Sequence, residues 1–228
     1  PDELKAVAQA VQLVHDGEGD VLMKGLCSTD KFLRAILNKE NGLLPPKGLL
    51  SHVGILESPN YHKLLFLTDM AVLPLPDFRQ KIKQTNFVVK VAKSFGIAKP
   101  KVAFLAASEQ VLDSMPACME AAALAKMVDR GQIRGCIADG PLALDVAIDN
   151  ESVEIKKLVS PVAGDADCLV FPNIESANVF WKTNSKLSPG VRQAGMLVGT
   201  TAPCILASRA DSVDTKLNSI AEAVMSIL

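Results

Sequence analysis

The sequence has almost no excess of either charge. It carries 24 Lys and Arg against 25 Asp and Glu, a net charge of −1 at pH 7. That balance excludes the broad positive field expected of a protein that binds nucleic acid or an anionic membrane. Any phosphate-bearing ligand must be held by local groups. The five cysteines, at positions 27, 118, 136, 168 and 204, form no CxxC pair and are odd in number. Reduced thiols in a cytoplasmic protein fit this pattern better than a disulfide framework. The three histidines, His15, His52 and His62, show no metal-ligand spacing, so no metal is expected. No apolar run is long enough to span a bilayer, and no signal-peptide pattern is seen. The first residue is Pro1 rather than Met, which is expected of a processed chain or of a start that is not the native one. Gly17-Glu18-Gly19 is not completed to GxGxxG because position 22 is Leu, and neither a GxxxxGK[ST] loop nor a GxSxG elbow occurs.

What is present is apolar and periodic. Of the 228 residues, 49% are hydrophobic, which suits one large domain or two small lobes and argues against disorder. Short runs rich in Val, Ile and Leu predict strands at 20–24, 48–57, 64–68, 101–106, 135–138, 168–171, 194–198 and 204–207. Their weak alternation is that of strands buried on both faces. Helices are predicted between them at 2–15, 77–95, 117–130 and 213–228. The first places Leu4, Val7, Ala10, Val11 and Val14 on one face, and the last carries Val213, Leu217, Ile220, Val224 and Ile227 at spacings of three and four. That stripe predicts a buried face. The alternation predicts an α/β fold around a mostly parallel sheet.

Four segments can carry chemistry. Ser208-Arg209-Ala210-Asp211-Ser212 joins a predicted strand to the last helix. Backbone N–H groups at such a helix start bind anions, Arg209 offers a planar fork for phosphate oxygens, and Ser208 offers a hydroxyl. The alternative is simple capping by Asp211 or Ser212, with Arg209 a surface charge. Ser28-Thr29-Asp30 opens a second predicted helix, with Arg34 about one turn in; it too reads either as a ligand site or as a capped helix. Gly140-Pro141, with Asp145 downstream, marks a sharp turn where open α/β sheets bind ligands. Pro172-Asn173 and Asn178 follow another strand; the asparagines either orient a ligand or bond their own backbone. His62 reads as structural, and so do Phe180 and Trp181 at the start of a helix. Cys27 reads as a small buried hydrophobe rather than a nucleophile.

The runs VLMKGLCSTDKFLRAILNKENGL, LSHVGILESPNYHKLLFLTD, AALAKMVDRGQIRGCIADGPLALDVAI, SPVAGDADCLVFPNIESANVFWK and APCILASRADS cover nearly the whole chain in order. Together they resemble the phosphate acetyl/butyryltransferase family, with NKENGL, GPLALD and SRADS more like its butyryl branch. The resemblance implies a three-layer α/β/α architecture of two lobes with a cleft, like that of the isocitrate and isopropylmalate dehydrogenases. Residues 43–192 would form one lobe, and residues 1–42 with 193–228 the other. An additional N-terminal segment of the family would complete the latter. The resemblance also implies a homodimer with no bound cofactor or metal, taking acyl-CoA and phosphate as substrates. The family's phosphate-contacting Ser-Arg pair falls on Ser208 and Arg209, and its other important arginine on Arg34, beside Ser28 and Thr29. Its GPL-x-x-D loop falls on Gly140, Pro141 and Asp145, and its Pro-Asn…Asn-x-x-x-Lys segment on Pro172, Asn173, Asn178 and Lys182. Two positions depart from the pattern: Thr215 stands where acetyl-type members carry the proposed base, and Leu73 where the family usually has Asn.

The implied reaction exchanges coenzyme A and phosphate on a short acyl group, butyryl above all. Arg209 and Arg34 would hold phosphate, Ser208 would donate to phosphate or the thioester oxygen, and Asp214 or Asp211 would accept the thiol proton. Asp214 is favoured as the base and Asp211 as the helix cap. With no Cys-His or Ser-His pair evident, direct transfer in a ternary complex is expected over an acyl-enzyme. The alternatives are acetyl or longer-chain transfer on the same fold, and a non-catalytic protein that binds coenzyme A or an acyl phosphate.

Overall fold

The computed structural model describes residues 2–208 and 211–228. It is a mixed α/β protein of eight strands and eight helices among those residues, divided into two compact units. Unit 1 combines the first 52 residues with the segment from Gln193 to the end; unit 2 is Val53–Arg192. The first unit thus runs to His52 rather than to residue 42. Within it Leu43 accepts a backbone hydrogen bond from Thr201 (2.8 Å), and Leu43 N–H bonds Ile36 (2.8 Å).

Unit 1 is built from α1 (Glu3–His15), β1 (Leu22–Met23), α2 (Thr29–Ile36), β7 (Arg192–Val198), β8 (Cys204–Ile205) and α8 (Val213–Met225). Its strands lie in the order β1-β8-β7. β1 and β8 run parallel, with Leu22 opposite Cys204 and Met23 opposite Ile205; β7 runs antiparallel to β8. Asp2 caps α1, and the helix buries Val7 and Val11 while α2 buries Phe32 and Ile36.

The last helix is turned the other way from the expected one. Val213 is 79% and Leu217 62% exposed, while Ser219, Glu222 and Ala223 face inward. The reason is tertiary: Ser219 Oγ accepts the Gly195 N–H of β7 at 3.0 Å, and the small Ser219 and Ala223 suit that close approach. The rotation carries Glu222 into the interior at 1% exposure, where neither carboxylate oxygen finds a partner among the described residues. Burial pushes its pKa well above the usual carboxylate range.

Unit 2 holds β2 (Ser51–Glu57), β3 (Leu65–Thr68), α3 (Phe78–Ser94), β4 (Lys101–Leu105), α4 (Pro116–Asp129), β5 (Ile137–Leu142), α5 (Leu144–Ile148), α6 (Asn150–Lys156), β6 (Cys168–Val170) and α7 (Ile174–Leu187). Two residues of β2 belong to unit 1 by contact, and Arg192 of β7 to unit 2. The strand order is β2-β3-β6-β4-β5. All these neighbours are parallel except β2 and β3. The core gathers Leu65, Leu67, Ala103, Leu142, Val146 and Leu169, with Trp181 packed against it. Truncating a residue such as Leu169 to Ala would cost about 2–5 kcal/mol. Phe180 and Trp181 sit within α7 rather than at its start, because Asn173 caps the helix seven residues earlier, its side chain accepting from Ser176 N. Phe180 meets Phe171 with ring centroids 5.5 Å apart.

A charged cluster lies where β4 and β6 begin. Lys101 Nζ meets Asp165 at 2.7 Å; Lys63 Nζ meets Asp165 at 2.8 Å and Asp167 at 2.7 Å. His62 Nε2 meets Asp165 at 2.8 Å, which gives it a structural place. Burial pushes the Asp165 carboxyl up, but hydrogen bonds from Lys101, Lys63 and His62 outweigh it and hold the pKa well below the usual range.

The two perturbed acids give opposite pH dependences. A depressed folded pKa contributes stability above the unfolded value near 4, and that stability is lost as pH falls. Asp165→Asn should therefore lower the melting temperature at pH 7 and flatten the loss of stability below about pH 4. A raised folded pKa contributes stability that is full below about pH 4 and lost as pH rises. Glu222→Gln should accordingly raise the melting temperature more at pH 8 than at pH 5. Thermal melts of the parent and both variants across that range check each sign; parallel profiles would refute it.

Candidate active site

The parallel pairing of β1 with β8 brings two sequence-distant segments to one edge of unit 1. Lys24 N–H extends the ladder to the Ile205 carbonyl at 3.0 Å. Beyond that rung one chain enters the 25–28 turn and α2, and the other enters Leu206, Ala207 and Ser208. Ser28 and Ser208 thus leave from the same end of neighbouring strands, the end at which open α/β sheets bind ligands.

Ser28 is the N-cap of α2, its Oγ accepting from Lys31 N at 3.3 Å. Its own N–H donates to Glu3 Oε1 at 2.7 Å, and Lys31 Nζ pairs with Glu3 Oε2. A carboxylate of α1 therefore occupies part of this positive helix end. Thr29 and Asp30 begin the helix, where first-turn N–H groups have no intrahelical acceptor. The Arg34 side chain is 78% exposed and pairs with Asp30 at 3.0 Å, an i,i+4 surface pair that binds weakly and can be given up.

On the β8 side, Ser208 N–H donates to Asp211 Oδ2 at 2.7 Å, and Asp211 N–H returns to the Ser208 carbonyl at 3.2 Å. Asp211 therefore closes a turn and is not the helix cap. That place belongs to Ser212, whose Oγ accepts from Thr215 N at 3.1 Å and lies 3.0 Å from Thr215 Oγ1. The exposed Asp214 stands in the first turn of α8 with no hydrogen-bond or ion-pair partner among the described residues. The face beside it is solvent-exposed, contrary to expectation, because α8 turns Val213 and Leu217 outward. Arg209 lies outside the described residues.

In unit 2 the residues singled out in the sequence fall on β5, on α5, and on α7 and its cap. Gly140 and Pro141 lie inside β5, which runs on to Leu142 instead of turning at the Gly-Pro pair. The register between β4 and β5 shifts here, and the bulge absorbs the extra residue. Gly140 is required by close approach: a Cβ there would lie 2.7 Å from Phe104 Cβ. Asp145 opens α5 and pairs with Lys156 at 2.8 Å; the Lys156 hydrogen bond holds its pKa below the usual range. Asn173 is a helix cap, and Asn178 Nδ2 donates to the Met70 carbonyl at 2.9 Å, bracing the loop after β3. In that loop the buried Asp69 accepts from the N–H groups of Ala71 and Val72 at 2.8 and 2.9 Å. Lys182 is exposed on α7.

Two groups escape a reading of the sequence. Glu3 gives no signal, because its role rests on Ser28, 25 positions away. Lys24 gives a faint one, a lone cation ending the apolar run Val21-Leu22-Met23. Cys27 is partly exposed rather than buried. Burial raises the Cys204 thiol to about 12 and also pushes Cys168 up, so neither is a ready nucleophile. Among the described residues, no group of three His, Cys, Asp or Glu side chains is placed to hold a metal ion, and no helix is long and apolar enough to cross a membrane.

Strand edges that carry helix starts, hydroxyls and local cations define an α/β protein suited to anionic ligands, and comparison with known proteins narrows the class. Residues 3–224 match the model of the phosphate acetyl/butaryl transferase family. The chain belongs to that family. It is 48% identical over 225 residues to a phosphate butyryltransferase of Clostridium acetobutylicum, spanning 99% of this chain and 74% of the relative. It is 50% identical over 224 residues to that of Clostridium beijerinckii, spanning 98% and 74%. The crystal structure of a branched-chain phosphotransacylase from Enterococcus faecalis V583 superposes with a TM-score of 0.92 at 32% identity, covering all of this chain and 80% of that one.

The assignment of the cap is directly testable. Ser212→Ala should cost about 1 kcal/mol of stability, and Ser212→Asn should restore most of it. Urea denaturation of both variants measures this, and an unchanged midpoint in Ser212→Ala would remove Ser212 from the role.

Proposed function

We propose that this chain exchanges coenzyme A and phosphate on a short acyl group, acyl-CoA + phosphate ⇌ acyl phosphate + CoA, with butyryl the favoured acyl chain. The observation that carries the reading is the β1–β8 pairing, which sets Ser28 and Ser208 at one strand edge in a chain of the phosphate acetyl/butaryl transferase family. Identities of 48% and 50% to phosphate butyryltransferases support the butyryl preference.

In this reaction a phosphate oxygen attacks the thioester carbon, a tetrahedral oxyanion forms, and the carbon–sulfur bond breaks to release the thiolate. The site must hold an anion, stabilise a second one and move a single thiol proton. In the proposal Arg34, freed from Asp30, and Arg209 hold phosphate. Ser208 donates its hydroxyl to phosphate or to the oxyanion, assisted by Thr29 at the start of α2. Asp211 is spent on the Ser208 turn, which leaves Asp214 as the group to exchange the proton with the thiol. Gly140, Pro141, Asp145, Asn173, Asn178 and Lys182 shape the substrate-facing edge of unit 2. The reading includes a cytoplasmic homodimer that works by direct transfer without a metal or prosthetic group.

Release of free thiol from butyryl-CoA, dependent on inorganic phosphate, tests the reaction; acetyl-CoA and longer acyl-CoAs in the same assay order the chain preference. Binding of coenzyme A without turnover would replace the reading with a non-catalytic one. Arg209→Ala should weaken phosphate dependence by about 2–5 kcal/mol, and Arg209→Lys should recover only part, since the planar fork is lost. An unchanged phosphate KM in Arg209→Ala rules the assignment out. Asp214→Asn should slow the reaction roughly 10²–10⁴-fold with little loss of folding. Activity should persist in EDTA and in reducing agent; loss that one divalent ion restores would contradict the metal-free mechanism.

A further inference from the structure

Lys24 is buried, at 4% exposure, at the end of β1. Its ammonium donates to the carbonyls of Gly25 at 3.1 Å and Cys27 at 2.9 Å. Among the described residues it has no carboxylate partner, and one of its three N–H donors is not accounted for by those two bonds. Buried lysines are ordinarily paired, because removing an ammonium from water is costly. The other buried lysine, Lys81 of unit 2, follows that rule with Glu120, and even the partly exposed Lys63 and Lys101 are paired, with Asp165 and Asp167. Lys24 does not.

Its place makes the exception meaningful. The bonds to Gly25 and Cys27 fold the turn that delivers Ser28 to the cap of α2, and the Lys24 N–H ties the same turn to β8, three residues before Ser208. Two nearby ion pairs are closed, Glu3 with Lys31 and Asp30 with Arg34, and the Asp211 carboxylate accepts the Ser208 N–H. Lys24, at that same edge, has no carboxylate partner among the described residues. The molecule as a whole, at −1, supplies no attraction of its own.

We propose that Lys24 is a positioning residue for phosphate, folding the 25–28 turn and supplying the uncompensated positive charge beneath the phosphate-binding edge of unit 1. The proposal rests on the acyl-transfer reading for its context but not for its test. The structural alternative is that Lys24 only ties the strand end.

Inorganic phosphate is the probe, compared with chloride at matched ionic strength. Phosphate should raise the melting temperature of the parent chain. Lys24→Met and Lys24→Gln should lose most of that rise, and Lys24→Arg, which keeps the charge, should retain part of it. In turnover with butyryl-CoA the neutral variants should raise the phosphate KM at least tenfold and leave the acyl-CoA KM within twofold, a split that loss of scaffold alone would not produce. The proposal is overturned if phosphate stabilises the neutral variants as much as the parent, if it does not stabilise the parent, if both KM values rise together, or if neither neutral variant folds. A parent that binds phosphate without turning over butyryl-CoA refutes the acyl-transfer reading, while the comparison of variants still decides Lys24.

Discussion

The parallel register between β1 and β8 is the constraint on which the candidate site depends. Two short strands, each only two residues long, set the directions in which two chain segments leave unit 1. Reverse either one and Ser28 and Ser208 would depart from opposite ends. The register itself is held by few bonds, so the surrounding helices matter: α1 reaches across to the start of α2 through Glu3, and α8 locks onto β7 through Ser219. The geometry of the candidate site follows from this strand pairing and from the turns that leave it.

The electrostatics of that edge are those of a prepared but not strongly attracting site. Carboxylates already take up backbone N–H groups on both segments, Glu3 at Ser28, the cap of α2, and Asp211 at Ser208. They neutralise part of the positive potential that free backbone N–H groups create. In the proposed reaction an incoming dianion would be met by side chains that exchange partners, such as Arg34 from Asp30, and by Lys24, which has no carboxylate partner among the described residues. In the absence of a strong net field, affinity and specificity both rest on these few groups.

The legibility of the fold varies with the range of the interactions involved. Strands buried on both faces announce themselves as Val, Ile and Leu runs, and β2, β3, β4, β6 and β7 stand within a few residues of their predicted places. α3 is equally plain, since Asp77 and Gln80 form a capping box within the sequence itself. The extension of β5 through Gly140-Pro141 is not plain, because it depends on a bulge against β4. The orientation of α8 eludes the apolar spacing for a similar reason: spacing is local, whereas the Ser219–Gly195 bond that rotates the helix is not. In the site, the sequence favours Asp211 as the cap of α8, whereas its carboxylate accepts the Ser208 N–H instead. The cap at Ser212 is one of two choices until geometry separates them. Glu3 and Lys24 act through partners that only folding brings near.

The discontinuity of unit 1 has a kinetic meaning. Unit 2 is one unbroken stretch of chain, whereas β1 finds its partner β8 only after all of unit 2 has been made. Closing so long a loop is entropically costly and slow, and contacts distant in sequence form late. A chain emerging from the ribosome can therefore complete its inserted unit while Leu22 and Lys24 still wait for Cys204 and Ile205. Until that last closure, the edge that carries Ser28 has no neighbour carrying Ser208.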